Sequence, residues 1–163
     1  IIPPYYEYTR PKDVVEDLNQ RFQASDDSMQ YFTMVYGVIN ARTGQVNITQ
    51  AGHPSPIKIE KNGSASFIGS GGFPVGIFPE ATYEEHEFYL ESGDRFILYS
   101  DGIIECPNDK GIAFSTERFT EIIKNNKGLS LHSLITDVEK YLKEWKGGGD
   151  FDDDISLLAF EMK

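Results

Sequence analysis

The sequence predicts an α+β fold in which helices cover a mostly antiparallel sheet. Apolar residues recur at helical spacing in three separate segments, and short alternating runs typical of strands lie between them. Turn signals of a few residues divide these runs, as expected for antiparallel neighbours. The predicted order is one helix, a strand meander, two helices and a final strand.

The helices follow from apolar periodicity and from their first residues. The first helix is predicted for residues 12–23, where four apolar side chains recur at helical spacing. Pro11 stands near its start, where the fixed φ of proline is tolerated. Two further helices, each with a serine as N-cap, are predicted for residues 115–126 and 130–145.

The strands follow from alternation and from turns. The turn at residues 41–44 predicts a first hairpin, and Asn62-Gly63 predicts a second. The turn at residues 91–94 joins two further strands. The last strand is nearly continuous in apolar residues, so we expect it to be buried. The predicted strands are residues 32–38, 45–50, 57–59, 67–68, 82–90, 94–100 and 155–162.

Composition excludes several classes of function. The 163 residues suit a single domain spanning residues 1–163, and 15 basic against 26 acidic residues give a net charge of -11. This charge disfavours nucleic acids and anionic membranes as partners. No apolar run could span a membrane and no leader is visible. The one cysteine, Cys106, fits a reducing cytoplasm, and no neighbour in sequence activates it.

Two acidic stretches indicate a metal site. Asp101-Gly102 ends the predicted strand at residues 94–100, and Asp152-Asp153-Asp154 precede the final strand. If the two strands are antiparallel neighbours, these carboxylates meet at one edge of the sheet. Carboxylates on rigid strand ends suit Mg²⁺ or Mn²⁺. The alternative stays open at this point: Asp101-Gly102 is a simple turn and the acidic run is a solvated loop.

A calcium-binding loop is a weaker interpretation of the same acidic run. Asp150, Asp152, Asp154 and Glu161 occupy positions 1, 3, 5 and 12 of an EF-hand loop. Position 6 of such a loop requires glycine for its sharp turn, and this chain has Ile155 there. We therefore do not expect an EF-hand.

Three stretches together resemble the type-2C metal-dependent protein phosphatases of the PPM superfamily, and more narrowly their SpoIIE/RsbU-like branch. They are residues 31–59 ("YFTMVYG…AGHPSPIKI"), 71–105 ("GGFPVG…YSDGIIE") and 152–161 ("DDDISLLAFE"). The resemblance implies an αββα sandwich and a two-metal centre of Mn²⁺ or Mg²⁺. It also implies hydrolysis of phosphoserine or phosphothreonine in a protein.

The resemblance assigns roles to individual residues. Asp101 matches the metal ligand of the family's "DG" motif, and Asp153 matches the ligand of its terminal "DD-I-S/T" motif. Gly102, Asp154 and Glu105 are expected around these ligands, with Gly102 allowing the backbone to turn away beneath the metal. His53 lies in a stretch similar to the family's "AGHPP" and is either an acid–base residue or a structural histidine at the exit of a strand.

The family's earlier metal motifs have no counterpart in this chain. We therefore expect the C-terminal portion of a phosphatase domain, inactive alone and cut from a longer cytoplasmic protein that begins before "IIPPYYEY". The expected partners are a phosphorylated regulatory protein, such as an anti-sigma-factor antagonist, an N-terminal receiver or sensor domain, and a second copy in a homodimer. The alternative is a catalytically inactive, phosphatase-like module that binds a partner.

Overall fold

The computed structural model describes residues 10–23 and 30–163. The opening residues 1–8, which suggested a longer protein, lie outside this part. The helices of the described residues are α1 (Pro11–Arg21), α2 (Asp101–Ile104), α3 (Thr116–Asn125) and α4 (Leu131–Lys146). The strands of the described residues are β1 (Met34–Ile39), β2 (Gln45–Ala51), β3 (Ile57–Ile59), β4 (Ala65–Phe67), β5 (Glu85–Tyr89), β6 (Arg95–Tyr99) and β7 (Leu157–Glu161).

The contacts divide the chain into two compact units, one of residues 1–55 and 68–90 and one of residues 56–67 and 91–163. The first unit holds a sheet with the strand order β1-β2-β5, and the second holds a sheet with the order β4-β3-β6-β7. All neighbouring strands in both sheets are antiparallel. The predicted α+β class with mostly antiparallel sheets is therefore confirmed.

The first unit buries one face of α1 on its sheet. Val15 of α1 is fully buried in a cluster with Ala51, Val75 and Tyr83. Pro11 occupies the first turn, as predicted, because a proline there loses no intrahelical hydrogen bond. The helix ends two residues before the end predicted from its periodicity.

The second unit buries one face of its sheet under α3 and α4. Leu134, Val138 and Leu142 recur every four residues along α4, so they form a single apolar stripe, and all three are buried. Tyr99 of β6 and Phe119 of α3 lie in the same cluster, with ring centroids 4.7 Å apart. This core fixes the end of β6, where Asp101 follows.

The predicted burial of the last strand is wrong for one of its faces. β7 is an edge strand, and Leu157 and Ala159 pack against the cluster beneath the helices. The side chains between them alternate to the other face, where Leu158 is 55% exposed and Phe160 is 36% exposed. An apolar run shows that a strand is apolar on both faces, but not that both faces are covered.

One of the two predicted serine N-caps is confirmed. The Ser130 hydroxyl accepts a hydrogen bond from the Ser133 amide at 3.1 Å, so it caps α4. Ser115 precedes α3 with φ at +77° and makes no side-chain cap. Its amide donates to the carbonyl of Ile104 at 2.8 Å, and this tertiary contact accompanies a left-handed backbone that differs from the extended backbone of an N-cap.

A buried aspartate anchors the turn before β6. Asp94 accepts hydrogen bonds from the amides of Lys61 and Glu91, both at 3.0 Å, and pairs with the Lys58 ammonium at 3.2 Å. Burial alone would raise the pKa of Asp94, but the two amides and Lys58 outweigh it and hold the pKa below its usual value. The turn thus depends on an ionised carboxylate.

We expect Asp94→Asn to lower the free energy of unfolding by about 2 kcal/mol at neutral pH, because the largely buried Lys58 loses its nearer carboxylate and keeps only Glu60 at 4.0 Å. The folded pKa of Asp94 is depressed, so its contribution is complete above the unfolded value of about 3.9. The contribution is lost as the pH falls through the folded pKa. Urea unfolding of wild type and Asp94→Asn, from neutral pH down to about pH 3, measures the difference in their free energies of unfolding.

The matched control is Asp109→Asn, which removes an exposed carboxylate from a loop of the same unit and should change stability little. A difference between wild type and Asp94→Asn that stayed constant down to about pH 3 would contradict this account of Asp94.

Candidate metal centre

The pairing of β6 with β7 brings the two acidic stretches together. The strands are antiparallel, as the metal hypothesis required, and Tyr99 at the end of β6 lies opposite Leu157 at the start of β7. Asp101 follows Tyr99 by two residues, and Asp153 precedes Leu157 by four. Both aspartates therefore belong to the same edge of this sheet.

Ser100 joins the two stretches just beyond the last strand pair. Its amide donates to the carbonyl of Ser156 at 3.0 Å. Its hydroxyl donates to the carbonyl of Asp154 at 2.9 Å and accepts from the amide of Ser156, also at 2.9 Å. Sequence reasoning missed this residue, although a serine directly before the key aspartate was a visible signal.

Gly102 is needed for a different reason than the one predicted. It lies inside α2 and is not among the glycines with positive φ, so the chain turns away from β6 without a left-handed backbone at this position. A Cβ built on Gly102 would lie 2.5 Å from the carbonyl oxygen of Asp154. The residue therefore permits a close approach of two backbones, which is the other common use of glycine.

The two predicted ligands are exposed and similarly held. One oxygen of Asp101, Oδ1, accepts the amide of Gly102 at 3.1 Å. Oδ1 of Asp153 accepts the amide of Asp154 at 2.7 Å. Each carboxylate therefore uses one oxygen to fix its own orientation, and its second oxygen makes no hydrogen bond or ion pair within the described part of the chain.

The three neighbouring aspartates of the acidic run have different environments. Asp152 pairs with Lys146, the last residue of α4, at 2.8 Å, and the Lys146 side chain is only 13% exposed. Asp154 is anchored through its backbone carbonyl by Ser100. Asp153 alone of the three has neither contact. The sequence alone could not separate these roles, because Lys146 is brought to the loop by the end of α4.

A small cavity borders Asp153, one of the two candidate ligands. It has a volume of about 180 Å³, and Gly102, Glu105 and Asp153 are among its lining residues. Glu105 is exposed, and its amide donates to the Asp101 carbonyl at 2.9 Å, which closes the single turn of α2. Glu105 and Asp153 therefore line one cavity, and a contact of Glu105 with water near a metal stays a prediction.

Cys106 also lines this cavity but is poorly suited to act as a nucleophile. Its side chain is buried, and burial raises the pKa of the thiol. Lys146 lowers this pKa and Asp152 raises it, and both effects are smaller than that of burial. A thiol with a raised pKa carries little of the reactive thiolate at neutral pH.

The donor set at this edge fits a hydrated Mg²⁺ or Mn²⁺. Both predicted ligands offer hard carboxylate oxygens, and such ions need only one or two protein carboxylates because they retain several waters. In residues 10–23 and 30–163, no group of three or more His, Cys, Asp or Glu side chains is arranged to hold a metal. Asp101 and Asp153 therefore do not form a closed cage within the described residues.

His53 belongs to the first unit, two residues after the end of β2. Its Nδ1 lies 3.4 Å from the Thr33 hydroxyl, and its backbone carbonyl accepts a hydrogen bond from the Gln50 side chain. Gln50 is itself buried, and its Oε1 accepts the amide of Gly71 at 2.9 Å. The contacts of Gln50, which sequence reasoning missed, fix the backbone of His53; the acid–base and structural roles of His53 both remain predictions.

The structure argues against the calcium-loop interpretation. Glu161, its twelfth position, lies in β7 and pairs with Arg95 at 2.7 Å. Asp152, its third position, pairs with Lys146. These residues are bound by different cations on different elements, so they do not converge as an EF-hand requires.

The fold matches solved phosphatase domains. The SiaA-PP2C domain of Pseudomonas aeruginosa is similar with a TM-score of 0.83 at 18% identity, over 95% of this chain and 62% of that one. The Mn-presoaked phosphatase domain of SpoIIE from Bacillus subtilis gives a TM-score of 0.67 at 17% identity, over 93% and 65% of the two chains. The chain therefore has the fold of PP2C-type phosphatase domains.

The family is defined more narrowly by sequence. The model described as Stage II sporulation protein E (SpoIIE) matches residues 5–163, so the chain belongs to the SpoIIE family. Phosphoserine phosphatase RsbU of Bacillus subtilis (strain 168) is 25% identical over 156 residues, which are 94% of this chain and 45% of RsbU. The chain thus spans less than half the length of this relative. The predicted resemblance to the SpoIIE/RsbU-like branch is confirmed.

None of the helices formed by residues 10–23 and 30–163 has both the length and the apolar character that crossing a membrane demands.

We expect Gly102→Ala to lower the free energy of unfolding by about 1–3 kcal/mol, because the new methyl group would overlap the Asp154 carbonyl and one backbone must move. This loss should appear although alanine favours a helix by about 1 kcal/mol over glycine. The control is Gly128→Ala, where the added Cβ meets no atom within 4 Å. Equal urea-unfolding midpoints for the two variants would show that the close approach of Gly102 to the Asp154 carbonyl does not make Gly102→Ala destabilising.

Proposed function

We propose that this chain is part of a Mg²⁺/Mn²⁺-dependent phosphatase that removes phosphate from serine or threonine of a regulatory protein. The observation that carries the proposal is the placement of Asp101 and Asp153 at one sheet edge by the β6–β7 pairing. The family membership and the phosphoserine phosphatase relative RsbU support it. The two carboxylates are the motif positions at which the resemblance expects metal ligands.

Some residues of this edge would bind the metal, and others would position the metal ligands. Asp101 and Asp153 would hold the metal through the oxygens that their own backbone does not use. Metals bound in such a centre supply a water of lowered pKa and neutralise charge on the phosphoryl group. Glu105, on the cavity that Asp153 also lines, would hold a water by hydrogen bonding. Ser100 and Gly102 keep the two backbone segments in contact.

The cellular setting belongs to the proposal as well. The substrate would be a phosphorylated regulatory protein of the anti-sigma-factor-antagonist kind, and a receiver or sensor domain would control the phosphatase. Both units of the chain would belong to one phosphatase domain, with a homodimer as its assembly. A buried, unpaired Cys106 fits the reducing cytoplasm. The net charge of -11 favours a protein partner over nucleic acid.

A catalytically inactive, partner-binding module is the second candidate. It is favoured by the ligand set, since no group of three or more His, Cys, Asp or Glu side chains among the described residues is arranged to hold a metal. Such a module would keep the fold and its contacts without turnover. The two candidates differ in one measurable property, which is metal-dependent phosphate release.

We expect Asp101→Asn and Asp153→Asn to reduce Mn²⁺-dependent phosphate release by more than about 100-fold, because loss of even an outer partner of a metal site commonly costs 10–100-fold. The assay uses the complete product of the gene with an aryl phosphate and a phosphoserine peptide. Removal of the metal with a chelator should abolish the same activity in the wild type.

Asp109→Asn serves as the control for charge alone, because Asp109 is an exposed carboxylate on the loop after Pro107. Full activity in Asp101→Asn would refute the assignment of the metal ligand. A folded wild-type protein with no activity under any metal would instead favour the binding module.

A further inference from the structure

We propose that Ser100 is a positioning residue that sets the relative placement of Asp101 and Asp153 and thereby the affinity for Mn²⁺. The inference rests on the proposed function, because it concerns the same metal ligands. It starts from the three hydrogen bonds by which Ser100 joins the backbone segments that carry the two aspartates.

The hydroxyl of Ser100 is used in both directions. A serine hydroxyl has one donor and two acceptor sites. Here the donor binds the carbonyl of Asp154 and one acceptor site binds the amide of Ser156, each at 2.9 Å. The side chain thus substitutes for two backbone partners at the point where the ladder of β6 and β7 has ended. A side chain without a hydroxyl would leave both backbone groups without these bonds.

The position of these bonds relative to the ligands gives Ser100 its role. Ser100 is covalently next to Asp101, and Asp154 is covalently next to Asp153. One hydrogen bond, from the Ser100 hydroxyl to the Asp154 carbonyl, therefore connects the immediate neighbours of both ligands. Gly102, on the other side of Asp101, also approaches the Asp154 carbonyl closely. Asp101 is thus held between two residues that contact the same oxygen.

Asp101 and Asp153 are themselves exposed, so burial of their own side chains does not fix the separation of the two carboxylates, and contacts of their neighbours contribute to it. A metal that binds both carboxylates gains affinity when their separation is fixed before it binds, because ordering them costs free energy. Loss of a partner that orients a ligand commonly costs 10–100-fold in metal affinity. We therefore expect Ser100→Ala to weaken Mn²⁺ binding by about 10-fold.

The test titrates MnCl₂ into the complete product of the gene, labelled with ¹⁵N, and follows paramagnetic loss of the amide signals of residues 101–103 and 152–155. Four proteins are compared: wild type, Ser100→Ala, Ser100→Thr and Ser156→Ala. Threonine keeps the hydroxyl and should bind Mn²⁺ within about 2-fold of wild type. Ser156→Ala removes a hydroxyl from the same segment but keeps all three bonds, because two of them use only the backbone of Ser156 and the third ends on the Asp154 carbonyl.

The possible outcomes distinguish the role of Ser100 from the metal assignment on which it rests. Loss of signal in wild type with equal Mn²⁺ affinity in Ser100→Ala would overturn the role of Ser100 and leave the metal site standing. No Mn²⁺-dependent loss in wild type would overturn the metal assignment and this inference with it. Thermal unfolding of each variant is measured alongside, because a purely structural role would lower the melting temperature without changing the Mn²⁺ affinity of folded protein. If Ser100→Ala does not fold, Ser100→Cys is compared with wild type in its place, because a thiol is only a weak hydrogen-bond donor and acceptor.

Discussion

The antiparallel ladder between β6 and β7 is the contact on which the candidate centre depends. It joins residues more than fifty positions apart, and it fixes a register in which Tyr99 faces Leu157. The register is determined by burial, because a slip of one residue would turn Tyr99 out of the cluster that it forms with Phe119 beneath the helices. The same apolar packing that stabilises the second unit therefore also determines which acidic residues meet at the sheet edge.

The helices contribute to the centre through their ends. The C-terminus of α4 supplies Lys146, which pairs with Asp152 on the loop before β7. Trp145 of α4 donates from its indole nitrogen to the Cys106 carbonyl at 3.1 Å, just beyond α2. The Arg118 guanidinium of α3 lies 4.4 Å from the centre of the Trp145 ring. Both loops that border the cavity are thus attached to the helical layer that covers the core.

Local sequence patterns predicted the strands and the acidic residues of this candidate centre, but not the contacts between distant parts of the chain. Alternation and turns located the strands, and the motifs located Asp101 and Asp153, because both kinds of signal lie within a few neighbouring residues. The reason for Gly102 and the role of Ser100 were not predictable, since both depend on the Asp154 carbonyl, over fifty residues away in the chain. The burial of β7 was overestimated because composition does not show which face of a strand is covered.

The chemistry of the anchors matters as much as their geometry. An acidic chain that places several exposed carboxylates at one edge must order them against their mutual repulsion. A lysine or arginine beside Asp153 would order it but would also compete with a divalent cation for its oxygens. In the described residues Lys146, at the end of α4, pairs instead with Asp152, while the segments that carry Asp101 and Asp153 are joined by Ser100 and Gly102, which carry no charge. Uncharged anchors hold the carboxylates in place and leave their negative charge available for a metal.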